Sequence, residues 1–186
     1  SCQTIYSSGY YQLSQNLVSP DGNNCINITS DNVALDLNGF SISNSTNTES
    51  SGIYIDGKNN ITIENGILIN NFYGLSINLT KNSLITNLNV NNNIGYGLSI
   101  IGSKSNNFEN NLVNSNGYNG FSLIQSGNNI FSNNIANSNF FSGFSIVSLN
   151  NPAGSNNTFI NNTASGNGHW GILTIYSNSY RNYCRL

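Results

Sequence analysis

Gly97-Leu98-Ser99-Ile100 returns 23 residues later as Gly120-Phe121-Ser122-Leu123, and after 23 more as Gly143-Phe144-Ser145-Ile146. Two earlier copies, Gly52-Ile53-Tyr54-Ile55 and Gly74-Leu75-Ser76-Ile77, stand 22 residues apart, and Gly74 is 23 before Gly97. A last copy, Gly171-Ile172-Leu173-Thr174, follows a step of 28. That step is the same period with five extra residues, and the turn-rich Asn150-Asn151-Pro152-Ala153-Gly154 is the expected insert. A period in the twenties is the signature of a solenoid, one supersecondary unit stacked on copies of itself.

The kind of solenoid follows from the columns, because residues at equal phase lie above one another. After each glycine the order is apolar, polar, apolar, the period-2 pattern of a strand with one buried face. A leucine-rich repeat shares the period but needs a helical return segment. Here the remainder of each copy is Asn, Ser and Gly, which are poor helix formers. The expectation is an all-β fold, a parallel β-helix of about seven coils, roughly 35 Å long at the inter-strand spacing. Two more columns lie before the glycines. Asn70, Asn93, Asn116, Asn139 and Asn167 are four residues ahead, and Glu64, Asn87, Asn110, Asn133 and Asn161 are ten ahead. Asn tolerates left-handed backbone and closes its own turn, so these columns read as corners, with stacked amides and no ligand.

The whole chain, 1–186, is expected to be one domain: an N-terminal segment and first coil over 1–30, repeat coils over 31–176 with the insertion near 150–155, and a tail over 177–186. Charged residues are 6% of the chain, far below the usual quarter, while Asn fills 42 positions. The apolar columns supply a narrow continuous core that a disordered chain would not need. With a net charge of −2, nucleic acid and anionic membrane surfaces are poor partners, and no apolar run is long enough for a membrane span. The chain opens Ser1-Cys2-Gln3 and is expected to be a mature secreted product.

The opening segments carry a family likeness. Cys2 with Tyr10-Tyr11-Gln12-Leu13, then Cys25-Ile26-Asn27-Ile28, then Asn32-Val33-Ala34-Leu35-Asp36-Leu37-Asn38-Gly39, resembles the first coils of secreted right-handed parallel β-helix proteins of the pectin lyase-like superfamily. The resemblance spans essentially the whole chain and implies the right-handed fold. For function it implies a choice, since the superfamily holds polysaccharide lyases, glycosidases, adhesins and plain structural modules.

Three cysteines in such a chain favour an oxidising compartment. Pairing Cys2 with Cys25 would clip the first segment onto the first coil. Cys184 is then left as a free thiol or an intermolecular bond, while a bridge from it to Cys2 or Cys25 must span on the order of 30 Å in a straight solenoid. Sequons at Asn27, Asn44, Asn60, Asn78, Asn156 and Asn161 are glycosylation candidates, although so Asn-rich a composition produces about that many unaided.

Catalytic signals are thin. Lyases of this fold hold calcium with Asp clusters and hydrolases pair carboxylates. The acids are Asp21, Asp31, Asp36, Glu49, Asp56, Glu64 and Glu109. Those in the repeat frame, Asp56, Glu64 and Glu109, share no column counted from the glycines. Only Asp31 and Asp36 are close in sequence, the second within a structural Leu-Asp-Leu-Asn-Gly motif, so no catalytic group, metal or cofactor is expected. His169, the only histidine, makes a poor transition-metal site alone. Lys58, Lys81 and Lys104 recur at 23 and are expected to stack on a solvated edge. Phe72, Tyr73, Tyr96, Tyr118, Phe141 and Trp170 precede the glycines and should form an aromatic ladder, which either seals the corner or meets a sugar or protein partner. The expected function is a non-catalytic extracellular structural or adhesive β-solenoid, self-associating head to tail or meeting surface carbohydrate or protein. The alternative is a carbohydrate-active enzyme or sugar-binding module.

Overall fold

The computed structural model describes residues 1–19, 22–45, 49–148, 156–176 and 183–185. In chain order the strands are β1 (Gln3–Ile5), β2 (Gly9–Gln12), β3 (Leu17–Ser19), β4 (Ile26–Ile28), β5 (Val33–Asp36), β6 (Ser41–Asn44), β7 (Ser51–Asp56), β8 (Thr62–Ile69) and β9 (Tyr73–Asn78). They continue as β10 (Leu84–Asn91), β11 (Leu98–Ile101), β12 (Asn107–Glu109), β13 (Phe121–Ile124), β14 (Ile130–Ser132), β15 (Phe144–Ser148), β16 (Thr158–Ile160), β17 (Ile172–Tyr176) and β18 (Tyr183–Arg185). The first sheet runs β1-β4-β7-β9-β11-β13-β15-β17, and the second runs from β2 through β5, β8, β10, β12, β14 and β16 to β18. A third face starts with β3 on β6 and β6 on the far half of β8. Parallel bridges Asn89–Leu112, Leu112–Ile135 and Ile135–Thr163 carry it onward. The pairing is parallel throughout the first sheet, with Leu75, Leu98 and Phe121 in register. The expected parallel β-helix is the fold. Eight strands in the first sheet make seven coil-to-coil steps.

The post-glycine columns form one wall of the core. Ile53, Leu75, Leu98, Phe121 and Phe144 are fully buried, as are Ile55, Ile77, Ile100, Leu123 and Ile146. Leu35, Ile63, Ile85, Phe108 and Phe131 face them from the second sheet, fully or almost fully buried, with Phe159 next in that row. From the fifth coil onward the interior is aromatic. Phe121 stacks on Phe144 at 4.7 Å and Phe108 on Phe131 at 4.6 Å, and the two stacks meet edge to face at 5.6–6.3 Å. Glycine opens each copy because the coils close up there: a Cβ on Gly97 would lie 2.6 Å from the Gly120 carbonyl oxygen.

The abundant asparagine divides into two jobs at each corner. One residue turns the chain through left-handed backbone, and the next points inward. Asn65, Asn87, Asn110, Asn133 and Asn161 have φ of 52–58° at one corner, and Asn82, Asn128 and Asn156 have φ of 53–62° at another. The residues that follow build buried ladders: Asn71-Asn93-Asn116-Asn139-Asn167, Asn106-Asn129-Asn157 and Asn111-Asn134-Asn162. Within them, Asn116 Nδ2 donates to Asn139 Oδ1 at 3.0 Å and to the Val90 carbonyl at 3.1 Å. Its own Oδ1 accepts from the backbone N–H and the Nδ2 of Asn93. Each amide thus replaces the backbone pairing that a corner interrupts, which is what a buried polar group requires.

Counting back from the glycines misplaces one coil. Asn71 lies three residues before Gly74, where Asn93 lies four before Gly97, so the ladder begins at Asn71, and Asn70 is instead an exposed left-handed corner. The same missing residue puts Asn65, not Glu64, in the corner column. The insertion expected near 150–155 falls outside the described residues, but ladder steps of 28 from Asn129, Asn134 and Asn139 bracket it.

At the other end β1 to β3 already form a complete coil. Cys2 and Cys25 are bonded across adjacent coils, with Cα atoms 4.5 Å apart, as their positions beside the Gln3–Ile26 pair allow. Tyr183–Arg185, expected as tail, is a strand that extends the second sheet against β16.

Candidate functional site: an aromatic cleft on the first sheet

The outward face of the first sheet is built from three parallel rows. Its middle is the row Tyr54, Ser76, Ser99, Ser122, Ser145 and Leu173, placed there because these residues alternate with the core positions. Two residues further along each strand lies Asp56, Asn78, Ile101, Ile124, Val147 and Ile175. Ile101, Ile124 and Ile175 are 40–44% exposed. The aromatic corner borders the other side.

There Tyr73 stacks on Tyr96 at 5.8 Å, Tyr96 on Tyr118 at 5.1 Å and Tyr118 on Phe141 at 5.5 Å, with ring planes within 18°. The next rung is His169, 4.9 Å from Phe141, and not Trp170. Phe72 also leans in, 6.4 Å from Tyr118, through the gap left by Gly95, where a Cβ would meet its ring at 2.7 Å. Face-to-face stacking has a chemical consequence. Each ring's faces are covered by its neighbours, so the ladder turns ring edges outward and seals the corner. Burial, and next the charge of Glu49, pushes the Tyr73 phenol above its ordinary range.

Trp170 stands outside this stack and is 58% exposed. With the ladder as one wall and Ser142, Ser145 and Leu173 beneath, it closes a cleft of about 330 Å³. Further depressions, of about 400 and 480 Å³, continue along the same face toward the N-terminus, past Tyr73 and Tyr54 to Tyr6.

The acids do not behave as their spacing from the glycines suggests. Asp36 pairs with Glu64, Glu64 with Thr86 and Thr86 with Glu109, so three acids share one column of the second sheet. Two irregular steps hide this in the sequence: Asp36 is 28 residues before Glu64, and the coil before Gly74 is one residue short, which offsets Glu64 from Glu109. Asp36 is nonetheless committed to structure. It accepts hydrogen bonds from Gln12 Nε2 at 2.9 Å, the Asn38 backbone N–H at 2.8 Å, Tyr10 Oη at 3.0 Å and Asn65 Nδ2 at 3.3 Å. Those donors, Gln12 foremost, hold its carboxyl below the usual range. Glu109 accepts from Asn107 Nδ2, and Asp31 from the Asn59 backbone N–H. Asp21 lies outside the described residues. Among the described residues no three metal-ligating side chains converge.

Lys81 and Lys104 do pair, but Asn59 takes the position above Lys81, so Lys58 is out of phase by one residue. Of the sequons, Asn60, Asn156 and Asn161 are exposed at left-handed corners. Asn27 and Asn78 are half-buried, and Asn44 is buried. Cys184 sits in β18, opposite Phe159 of β16. No helix among the described residues is long and apolar enough to cross a membrane.

A family described as right-handed β-helix region matches residues 24–184. Among solved structures, the chain is similar to the periplasmic alginate epimerase AlgG. For a double mutant of it the TM-score is 0.55 at 18% identity, and for the unmutated enzyme 0.53 at 16%. In both cases 84% of this chain is covered, and the chain spans 49% of the length of that enzyme. At this identity the likeness is one of fold. No curated protein matches.

Proposed function

The chain belongs to the right-handed β-helix family, and from that premise we propose that it is a non-catalytic glycan-binding solenoid working outside the cytoplasm, with its binding face on the first sheet. The observation that carries this reading is the cleft between Trp170 and the edge of the aromatic ladder. An indole with a free face beside hydroxyl and amide side chains is the surface on which sugar rings stack and hydrogen-bond. A compartment beyond the membrane agrees with the Cys2–Cys25 bond and with the periplasmic setting named for the alginate epimerase of similar fold.

An enzyme is the second reading, favoured by the column Asp36, Glu64 and Glu109 and by the epimerase likeness. Against it, a carboxylate held by four donors with a lowered pKa is a poor proton acceptor. The test is retention on insoluble polysaccharides together with chromatography of the recovered sugar. Retention that Trp170→Ala removes, with the polymer returned unchanged, is expected. Shortened or epimerised polymer, lost on Glu64→Gln or Glu109→Gln, would establish the enzyme instead.

A further inference from the structure

Granting that the cleft binds glycans, we infer that its ligand is a neutral hexopyranose chain, and that acidic polyuronates are excluded. Among the described residues the walls and floor of the cleft contain no Lys, Arg, Asp or Glu, and His169, packed on Phe141, is the one basic group. A polyuronate carries one carboxylate per sugar, and along the chain these would lose hydration there without a cation for each, a loss that a neutral hydroxyl-rich ring avoids. The nearest charges on the same face repeat the message. Glu49 lines the next depression alone, and the one beyond it adds Asp56 and Lys58, so an approaching polyanion meets more negative than positive charge.

The polar groups offered are neutral as well. Ser76, Ser99, Ser122 and Ser145 succeed one another at the coil spacing of roughly 4.8 Å, close to the length of one sugar unit in an extended chain. These serines are only 5–7% exposed, so a chain lying along the axis would meet the same small, uncharged floor at every unit, with Trp170 as the platform for its terminal ring. The ligand class differs from alginate, the acidic polymer named for the epimerase of similar fold.

Trp170 is the only tryptophan, so its fluorescence reports occupancy of this cleft and nothing else. Titrating the full chain at low salt with soluble β-glucan, mannan and xylan oligosaccharides, and with alginate and polygalacturonate oligosaccharides, decides the matter. At least one neutral series should shift the emission to saturation, with an affinity at least tenfold above either acidic series. Calorimetry on Trp170→Ala, whose exposed side chain leaves the melting temperature unchanged, should then show no binding. Alginate or polygalacturonate binding equally well, and weakening with salt, would overturn the neutral assignment while leaving a glycan-binding cleft standing. Silence from all five probes would remove both.

Discussion

Asn116 and Tyr118 are two residues apart, and each belongs to a stack that repeats once per coil, yet one stack lies inside the solenoid and the other outside. The inner stack is held by directional bonds that leave each amide no other partner to seek. The outer stack is held by ring contacts and leaves its edges to solvent. Periodicity alone therefore does not tell scaffold from surface. The difference lies in what each rung leaves unsatisfied: the asparagines only the Oδ1 of Asn71, where the ladder begins, the aromatic corner an apolar cleft and an exposed indole.

Breaking the inner stack should have the largest effect. Asn116→Ala strands the backbone N–H of Asn93 and the Val90 carbonyl in a dry corner and takes one of two bonds each from Asn93 Nδ2 and Asn139 Oδ1, and should cost about 3–5 kcal/mol in urea unfolding. Phe121→Ala, beside it in the core, should cost about as much through an unfilled cavity. Next comes the clip at the N-terminal coil. Replacing Cys2 and Cys25 by Ala opens a link between residues 23 apart and should cost about 3 kcal/mol.

An acid titration separates the hydrogen bonds around Asp36 from both stacks, because neither stack contains a carboxylate. Asp36 has its folded pKa depressed by its donors, so its contribution is present above the unfolded value of about 3.9 and is lost as pH falls through the folded value. Thermal melts of the wild type and Asp36→Asn should differ most above pH 5 and converge in acid, while Asn116→Ala keeps a constant offset.

The smallest stability effect belongs to the outer stack. Tyr118→Ala removes three ring contacts at a position 39% exposed, and should cost only about 1–2 kcal/mol. It should still abolish retention on polysaccharide. A loss as large as that of Asn116→Ala would mean that the outer stack is scaffold too.

The core could be read in advance because strand alternation and the opening glycine are both tied to backbone geometry, so Leu98 and Ile100 had to face inward. The corners could not. Asn serves both the left-handed turn and the inward amide, and Asn70 and Asn71 differ only in phase, which one shorter coil shifts. That same shift separated Glu64 from Glu109, and a 28-residue step separated Asp36 from both. Trp170 was found in the right region with the wrong partner: the repeat brings an aromatic residue near each glycine, but only ring geometry reveals that His169 completes the stack and frees the indole.

The three ladders cross the 28-residue step with bonds of 2.9–3.1 Å, indistinguishable from those across 23. The fold thus measures itself by contact and not by chain length, so extra sequence at that corner passes unnoticed by the next coil. For an evolving gene this makes the stretch of sequence between Ser148 and Asn156 permissive ground, where insertions can be tried without renegotiating the scaffold. It is also where a designed peptide could be grafted at least risk.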